Sequence, residues 1–282
     1  MRVFLAGATG AVGRLLVPML VAAGHDVVAS SRTAEGVAAV QAAGATATRL
    51  DAFDREAVAR AVAQAAPELI VHQLTALSGG SPADNARVRR EGTRNLVDAA
   101  HAAGVTRIIA QSIAWAYEPG EQPADERTAL DLSAPESRAT TVEGVRALEA
   151  AAAELPHAVI LRYGALYGPG TWYRRGGLFA DKLAAGTLPA TAAVTSFLHV
   201  HDAARAVLEA LDWPSGPVNV VDDDPAAGYE WVPAFAKALG LTPPEPTPGR
   251  AGWERGADNA LARRALHWQP LQPTWRSGFA EL

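Results

Sequence analysis

The sequence predicts an α/β fold, a doubly wound parallel sheet with a smaller C-terminal α/β lobe. Three observations predict it. Short apolar, β-branched runs alternate with alanine-rich helical stretches as far as Arg162, the pattern of a parallel sheet covered by helices. The first run, Val3–Ala6, passes directly into glycines at 7, 10 and 13 and then into a helix. After Arg162 the texture changes: glycine, proline and aromatic residues crowd positions 163–177, and shorter elements follow.

Taken in order, strand Val3–Ala6 leads to a helix over Ala11–Ala23, and strand Val27–Ser30 to a helix over Val37–Ala43. Strand Thr46–Leu50 leads to a helix over Arg55–Ala66, and strand Leu69–Leu74 to a long helix from about Ala83 to Ala103. Strand Thr106–Gln111, helix Val142–Glu154 and strand His157–Arg162 bring the count to six or more parallel strands. Pro18 falls inside the first helix, where the lost hydrogen bond predicts a kink costing about 3 kcal/mol if nothing compensates. Thr242–Gly249 holds four prolines in eight residues and predicts an extended surface loop. The boundary is drawn between 1–165, the sheet domain, and 166–282, a substrate lobe interleaved with it.

The 282 residues allow one large domain plus a small one. With 49% apolar residues, 20% charged residues and a net charge of −5, neither disorder nor nucleic-acid binding is expected. The absence of cysteine excludes disulfides, thiolate catalysis and cysteine metal sites together. No signal-like leader and no apolar run of bilayer length stand out, so a cytoplasmic protein without a membrane partner is expected.

The glycine loop carries the strongest functional signal. Gly7 permits a sharp turn, Gly10 lets a pyrophosphate approach the backbone, and Gly13 lets the new helix pack closely on the sheet. The helix N-terminus then offers N–H groups and a positive dipole end to a phosphate. This is a Rossmann-type dinucleotide turn, with Thr9, Ala11 and Val12 completing the loop. The second strand ends in Ser31-Arg32 with no carboxylate, and a guanidinium can hold a 2′-phosphate bidentately. NADP(H) is therefore preferred, with NAD(H) the alternative if Arg32 is only a solvated surface residue. Asp51, after the third strand, suits either the adenine amino group or a simple turn. Leu74, Thr75 and Ala76 end the fourth strand, where ligands of such sheets lie.

With these residues the chain resembles the extended short-chain dehydrogenase/reductases, the NAD-dependent epimerase/dehydratase group. Besides Gly7–Gly13 the resemblance rests on Glu91-Gly-Thr-Arg-Asn95-Leu and Ile108-Ile-Ala-Gln-Ser112. It also rests on Leu161-Arg-Tyr-Gly-Ala-Leu-Tyr-Gly-Pro-Gly170, Phe197-Leu-His-Val-His-Asp202 and Val218-Asn219-Val220. It implies a Rossmann domain, a C-terminal substrate lobe and often a homodimer joined through two helices of each subunit. It also implies hydride transfer assisted by a Tyr-x-x-x-Lys helix and a nearby hydroxyl: the tyrosine is the acid/base, and the lysine lowers its pKa and holds the ribose.

This chain departs from that pattern. Its lysines are Lys182 and Lys237, and no tyrosine lies between Tyr117 and Tyr163. If Glu149 marks the glutamate four residues beyond the lysine, Val145 replaces the lysine and Thr141 the tyrosine; a shift of one residue gives Arg146 and Val142. Ser112 and Tyr163 remain as candidate catalytic residues, each with a plainer reading: Ser112 satisfying nearby backbone, and Tyr163 packing beside the nicotinamide, as the resemblance implies.

Tyr117, Tyr167, Trp172, Tyr173 and Arg174 are candidate substrate contacts, since aromatics stack on rings and arginines bind anions. The alternation of His199 and His201 on one strand would suit a metal pair, but the resemblance explains that segment as structural, and no metal is expected. The expected function is NAD(P)-dependent oxidation–reduction or epimerisation of a small molecule, a nucleotide-sugar or an aromatic compound, with a non-standard proton donor. A non-catalytic NADP(H)-binding sensor, or a non-redox lyase or isomerase keeping the dinucleotide for structure, are the alternatives.

Overall fold

The computed structural model describes residues 1–77 and 81–282. Its first half alternates as the hydrophobic pattern requires: β1 (Arg2–Ala6), α1 (Gly13–Ala22), β2 (Asp26–Ser31), α2 (Ala34–Ala42), β3 (Thr46–Arg49), α3 (Arg55–Ala65) and β4 (Leu69–His72). Then come α4 (Pro82–Arg87), a π-helical turn (Val88–Gly92), α5 (Thr93–Ala102), β5 (Arg107–Ile113), α6 (Glu136–Ala152) and β6 (His157–Tyr163). The remainder is shorter: β7 (Ala165–Tyr167), α7 (Leu178–Ala184), β8 (Val194–Thr195), β9 (Phe197–His199), α8 (Val200–Glu209), β10 (Gly216–Val220), β11 (Ala226–Ala227), α9 (Gly228–Leu239) and α10 (Trp275–Phe279).

Seven strands form the central sheet in the order β10-β6-β5-β4-β1-β2-β3. β1 runs parallel to β2 and β4, β2 to β3, and β4 to β5. Parallel strands covered on both faces are apolar throughout, and β4 is buried at every residue. The order reverses between β1 and β4, the position at which open α/β sheets bind ligands at the carboxyl ends of their strands. Register places Ala6 beside Ser30 and His72, and His72 beside Ala110. Gly7 and Gln73 therefore leave the sheet side by side, between Ser31 at the end of β2 and Gln111 within β5.

The chain divides into two compact units: Met1–Ser112, Leu132–Leu161 and Ala204–Pro217 form one, and Ile113–Asp131, Arg162–Ala203 and Val218–Leu282 the other. A single cut at residue 165 does not describe this, because the chain passes between the units several times. The first unit holds a core of Phe4, Val58, Val62, Ile70, Leu96, Val97, Ile108 and Leu148. The second closes around rings: Tyr167, Tyr173, Phe197, Trp231, Phe235, Trp275 and Phe279.

Four local expectations change. The helix expected over 83–103 is interrupted by the π turn, one extra residue per turn that period-3.6 reasoning does not register. α1 continues through Pro18, which lies on its exposed face. His199 ends a strand and His201 sits in the next helix, so the alternation needed to share a strand face is absent. α6 begins six residues earlier than expected, at Glu136. The segment 242–249 is irregular as expected, with one isolated bridge between Pro246 and Ala190. Among the described residues no helix is long and apolar enough to cross a membrane.

Candidate functional site

The glycine loop is built by exclusion. Gly7 has φ +94°, a conformation costly for any side chain, and a Cβ there would lie 2.5 Å from the Gln73 carbonyl oxygen. A Cβ on Gly13 would collide with the Gly7 carbonyl, so the third glycine packs α1 against the start of its own loop rather than against the sheet. Gly10 differs: a Cβ there would meet only the Gly7 oxygen, at an ordinary 3.5 Å. Folding does not demand a glycine at 10, which leaves close approach of a ligand as its reason.

The helix that follows supports the same conclusion. Thr33 caps α2, Asp54 caps α3 and Ser81 caps α4 with side-chain oxygens, whereas α1 begins at Val12 without a side-chain cap and without an acidic residue in its first turn. Its free N–H groups and dipole end are the ready-made partner of an anion. Thr9 is exposed, Ala11 half-buried and Val12 buried around this turn.

At the end of β2, Ser31 is buried against Gly36, where a Cβ would overlap the serine hydroxyl. Arg32 is exposed, and the Arg49 Nε donates to the Arg32 carbonyl at 3.2 Å. Two guanidinium groups thus stand at the strand end where a carboxylate would select an unphosphorylated ribose. Asp51 accepts the Phe53 N–H at 3.0 Å, so one of its oxygens serves a turn.

Leu74, Thr75 and Ala76 are half-buried and tied from two sides. The Leu74 N–H donates to His72 Nδ1 at 3.1 Å, and the Ala76 N–H to Asn85 Oδ1 at 3.0 Å. Because His72 Nδ1 accepts, Nε2 carries the proton and donates to Thr93 Oγ1 at 2.8 Å. Burial, with a smaller contribution from the charge of Arg89, lowers the His72 pKa to about 4, so this ring is neutral at physiological pH.

Ser112 is buried at the end of β5, and its hydroxyl donates to Glu149 Oε1 at 2.6 Å. That is a short, charge-assisted bond, and it commits the single proton of the serine to a carboxylate. Thr141, Val145 and Glu149 are spaced at i, i+4 and i+8 on α6 and share a face. Val145 is fully buried within the core, and Thr141 is half-buried.

The tyrosines in the second unit are occupied elsewhere. Tyr163 is buried, and its hydroxyl donates to the Ala203 carbonyl at 3.1 Å. Tyr117, expected as a pocket wall, is buried in a polar network: its hydroxyl donates to Asn219 Oδ1 and accepts from Arg162 Nη1 at 3.0 Å. Tyr167 and Tyr173, expected at substrate, belong to the aromatic core; burial holds both phenols well above their ordinary pKa, and Tyr173 stacks on Phe179 at 4.0 Å. Trp172 is half-buried and Arg174 exposed. Arg175 caps the end of α9, with its guanidinium on the Ala238, Leu239 and Leu282 carbonyls. Asp202 receives the Leu271 and Gln272 N–H groups, both at 2.9 Å, a structural role.

Motif reasoning missed His72, Asn85, Thr93 and Arg89. His72 ends β4, and Asn85, Arg89 and Thr93 act on that strand end from α4, the π turn and α5, a tertiary relationship that spacing along the chain does not carry. Glu149 was available only as a register marker, though its position four residues beyond Val145 was the clue to its importance.

A family model described as the NAD dependent epimerase/dehydratase family matches residues 3–221. Over 308 aligned positions the chain is 45% identical to a protein from Streptomyces sp named 3-diazoavenalumate denitrifying reductase, with 99% of each covered. Among solved structures, the Thermus thermophilus UDP-glucose 4-epimerase in complex with NAD is 28% identical, with a TM-score of 0.75 over 99% of this chain and 97% of that one. The Bordetella bronchiseptica enzyme WbmG in complex with NAD and UDP shares the fold, with a TM-score of 0.77 at 23% identity over 96% and 90% of the two chains. The chain belongs to the NAD-dependent epimerase/dehydratase family.

Proposed function

We propose that the chain is an NAD(P)H-dependent reductase whose acceptor takes a hydride without needing a proton from the protein, and that this acceptor is a diazo compound in its diazonium form. The carrying observation is the face of α6 on which Thr141, Val145 and Glu149 stand. Where the family's hydride chemistry uses tyrosine and lysine, this chain places a hydroxyl, a core valine and a carboxylate that already holds the Ser112 proton. Carbonyl reduction leaves an alkoxide that must be protonated, and epimerisation through a ketone needs a base for the hydroxyl proton. Neither is well served here.

A diazonium carbon makes no such demand. The hydride electron pair becomes a C–H bond, the C–N pair leaves with dinitrogen, and the nicotinamide is oxidised. Charge and atoms balance with no proton moved. The 45% identical relative is, by its name, a denitrifying reductase of a diazo compound, which supports this class of acceptor. Its agreement over 99% of both chains means that no domain separates the two.

For the cofactor, NAD in the related structures supports dinucleotide binding at Gly7–Gly13. Arg32 after β2 and Arg49 at the end of the neighbouring β3 favour the phosphorylated form. What the chain's residues supply is the pyrophosphate cradle, charge at the adenosine end and a dry strand edge; the nicotinamide supplies the hydride when bound.

The test is to mix purified protein with NADPH or NADH and an arenediazonium salt, following dihydronicotinamide absorbance and released dinitrogen against a protein-free control. Stoichiometric oxidation and gas release above the control support the reading. Dinucleotide binding without turnover of this or any acceptor would instead favour a sensor, and epimerisation of a nucleotide-sugar would overturn the proposal.

A further inference from the structure

The π turn between α4 and α5 directs Arg89 inward. This residue is 6% exposed, yet among the described residues its guanidinium makes no hydrogen bond or ion pair. A buried cation without hydrogen-bond partners is expensive and normally answers to something.

The surroundings say what Arg89 stands in for. Gly144 on α6 lies against it: a Cβ on that glycine would be 3.5 Å from Arg89 Cδ and 3.1 Å from Ala86 Cβ. Gly144 directly precedes Val145, which stands where the resembled family keeps the ribose-holding lysine if Glu149 marks the glutamate four residues beyond it. The charges of Glu149, one turn further along α6, and of Arg89 act on each other, and Arg89 also acts on His72 at the end of β4. A cation is thus delivered to the Val145 neighbourhood from the π turn rather than from α6. A glycine at 144 lets α6 close on Ala86 of α4, with the Arg89 stem at ordinary contact distance beside it.

We propose that Arg89 takes over the ribose-holding part of the missing lysine, donating hydrogen bonds to the hydroxyls of the nicotinamide-side ribose of the bound dinucleotide. The inference rests on the reading of the chain as an NAD(P)H enzyme. It also explains how the other half of the lysine's work is dispensed with. Guanidinium keeps its proton at neutral pH even with its pKa lowered to about 10 by burial, so Arg89 binds and orients but does not exchange protons. That matches an acceptor that needs only hydride. Five donors in a rigid fork suit a vicinal diol better than they suit a lone acceptor atom.

The experiment compares wild type, Arg89→Met and Arg89→Lys by NADPH and NADH fluorescence titration, by steady-state kinetics with an arenediazonium acceptor, and by thermal unfolding without cofactor. Arg89→Met relieves an unpaired buried charge and is expected to unfold at the wild-type temperature or above it. Its Kd for both dinucleotides rises about tenfold or more, while Arg89→Lys recovers most of the affinity. A rise in acceptor KM with unchanged dinucleotide Kd would assign Arg89 to the substrate and overturn the proposal. So would wild-type affinity in a folded Arg89→Met. Failure of the wild-type protein itself to bind either dinucleotide would overturn the underlying reading, an outcome distinct from both.

Discussion

Ser112 Oγ donates to Glu149 Oε1 at 2.6 Å, joining the end of β5 to α6. A hydroxyl so engaged is a strut rather than an acid. Ser112→Ala is therefore expected to keep NAD(P)H-dependent turnover within a few-fold, while costing about 1–3 kcal/mol of stability because a half-buried carboxylate loses this donor. Steady-state rates and denaturant unfolding of the same preparation check both halves. A collapse of turnover at unchanged stability would make Ser112 chemical.

The glycines separate folding from binding. Gly13→Ala drives a methyl into the Gly7 carbonyl and is expected to lower the unfolding temperature and abolish dinucleotide binding together. Gly10→Ala meets only ordinary contact, so its unfolding temperature stays near wild type while affinity falls. Thermal scans with and without NADPH distinguish the two, and equal losses of stability would contradict the structural reading.

The proposed preference for NADPH rests on Arg32. Arg32→Ala should weaken NADPH binding about tenfold or more while leaving NADH nearly unchanged, since only the phosphorylated ribose uses a bidentate, charge-assisted contact. Arg49→Ala, which removes the support of the Arg32 backbone, should give a smaller effect in the same direction. Fluorescence titration with both dinucleotides reads the ratio. Parallel losses for both would place Arg32 outside the 2′-phosphate site.

His72 gives the fold an acid limit. Its pKa falls from an unfolded value near 6.5 to about 4 in the folded chain, so between those values the unfolded chain binds a proton that the folded chain refuses. The contribution is complete above pH 6.5 and is lost as pH falls towards 4, by on the order of 3 kcal/mol in all. His72→Gln should flatten this part of the stability profile measured by denaturant melts. Asp222 works in the opposite sense: burial raises its pKa to about 8, so its contribution is full at low pH and is lost as pH rises to 8. Asp222→Asn should remove that second slope.

The sheet was legible because parallel strands buried on both faces are written as continuous apolar runs, and because Gly7, Gly10 and Gly13 have different physical reasons to be glycine. The placing of Arg32 and Leu74–Ala76 just beyond the strands could be read for the same reason: residues at strand ends are set by the order of the sheet. The π turn was not legible. It alters helix periodicity by one residue and, by doing so, turns Arg89 from an apparent surface charge into a buried one. Tyr117, Tyr167 and Tyr173 were misplaced because aromatic residues near glycine and proline suit a binding surface and a packed core equally well. The hydrogen bonds and ring contacts that decide between them come from Asn219, Arg162, Phe197 and Phe279, residues distant in sequence.

The proposed reaction is direct hydride transfer to a carbon that loses nitrogen, with no proton donor in the protein. Its most direct measurement uses NADPH deuterated at nicotinamide C4, with an arenediazonium acceptor in ordinary water, and mass spectrometry of the product. The account predicts one deuterium on the carbon that carried the nitrogen, with transfer unchanged in Ser112→Ala and Tyr163→Phe. Product carrying solvent hydrogen at that carbon, or transfer abolished by either substitution in a folded protein, would contradict it.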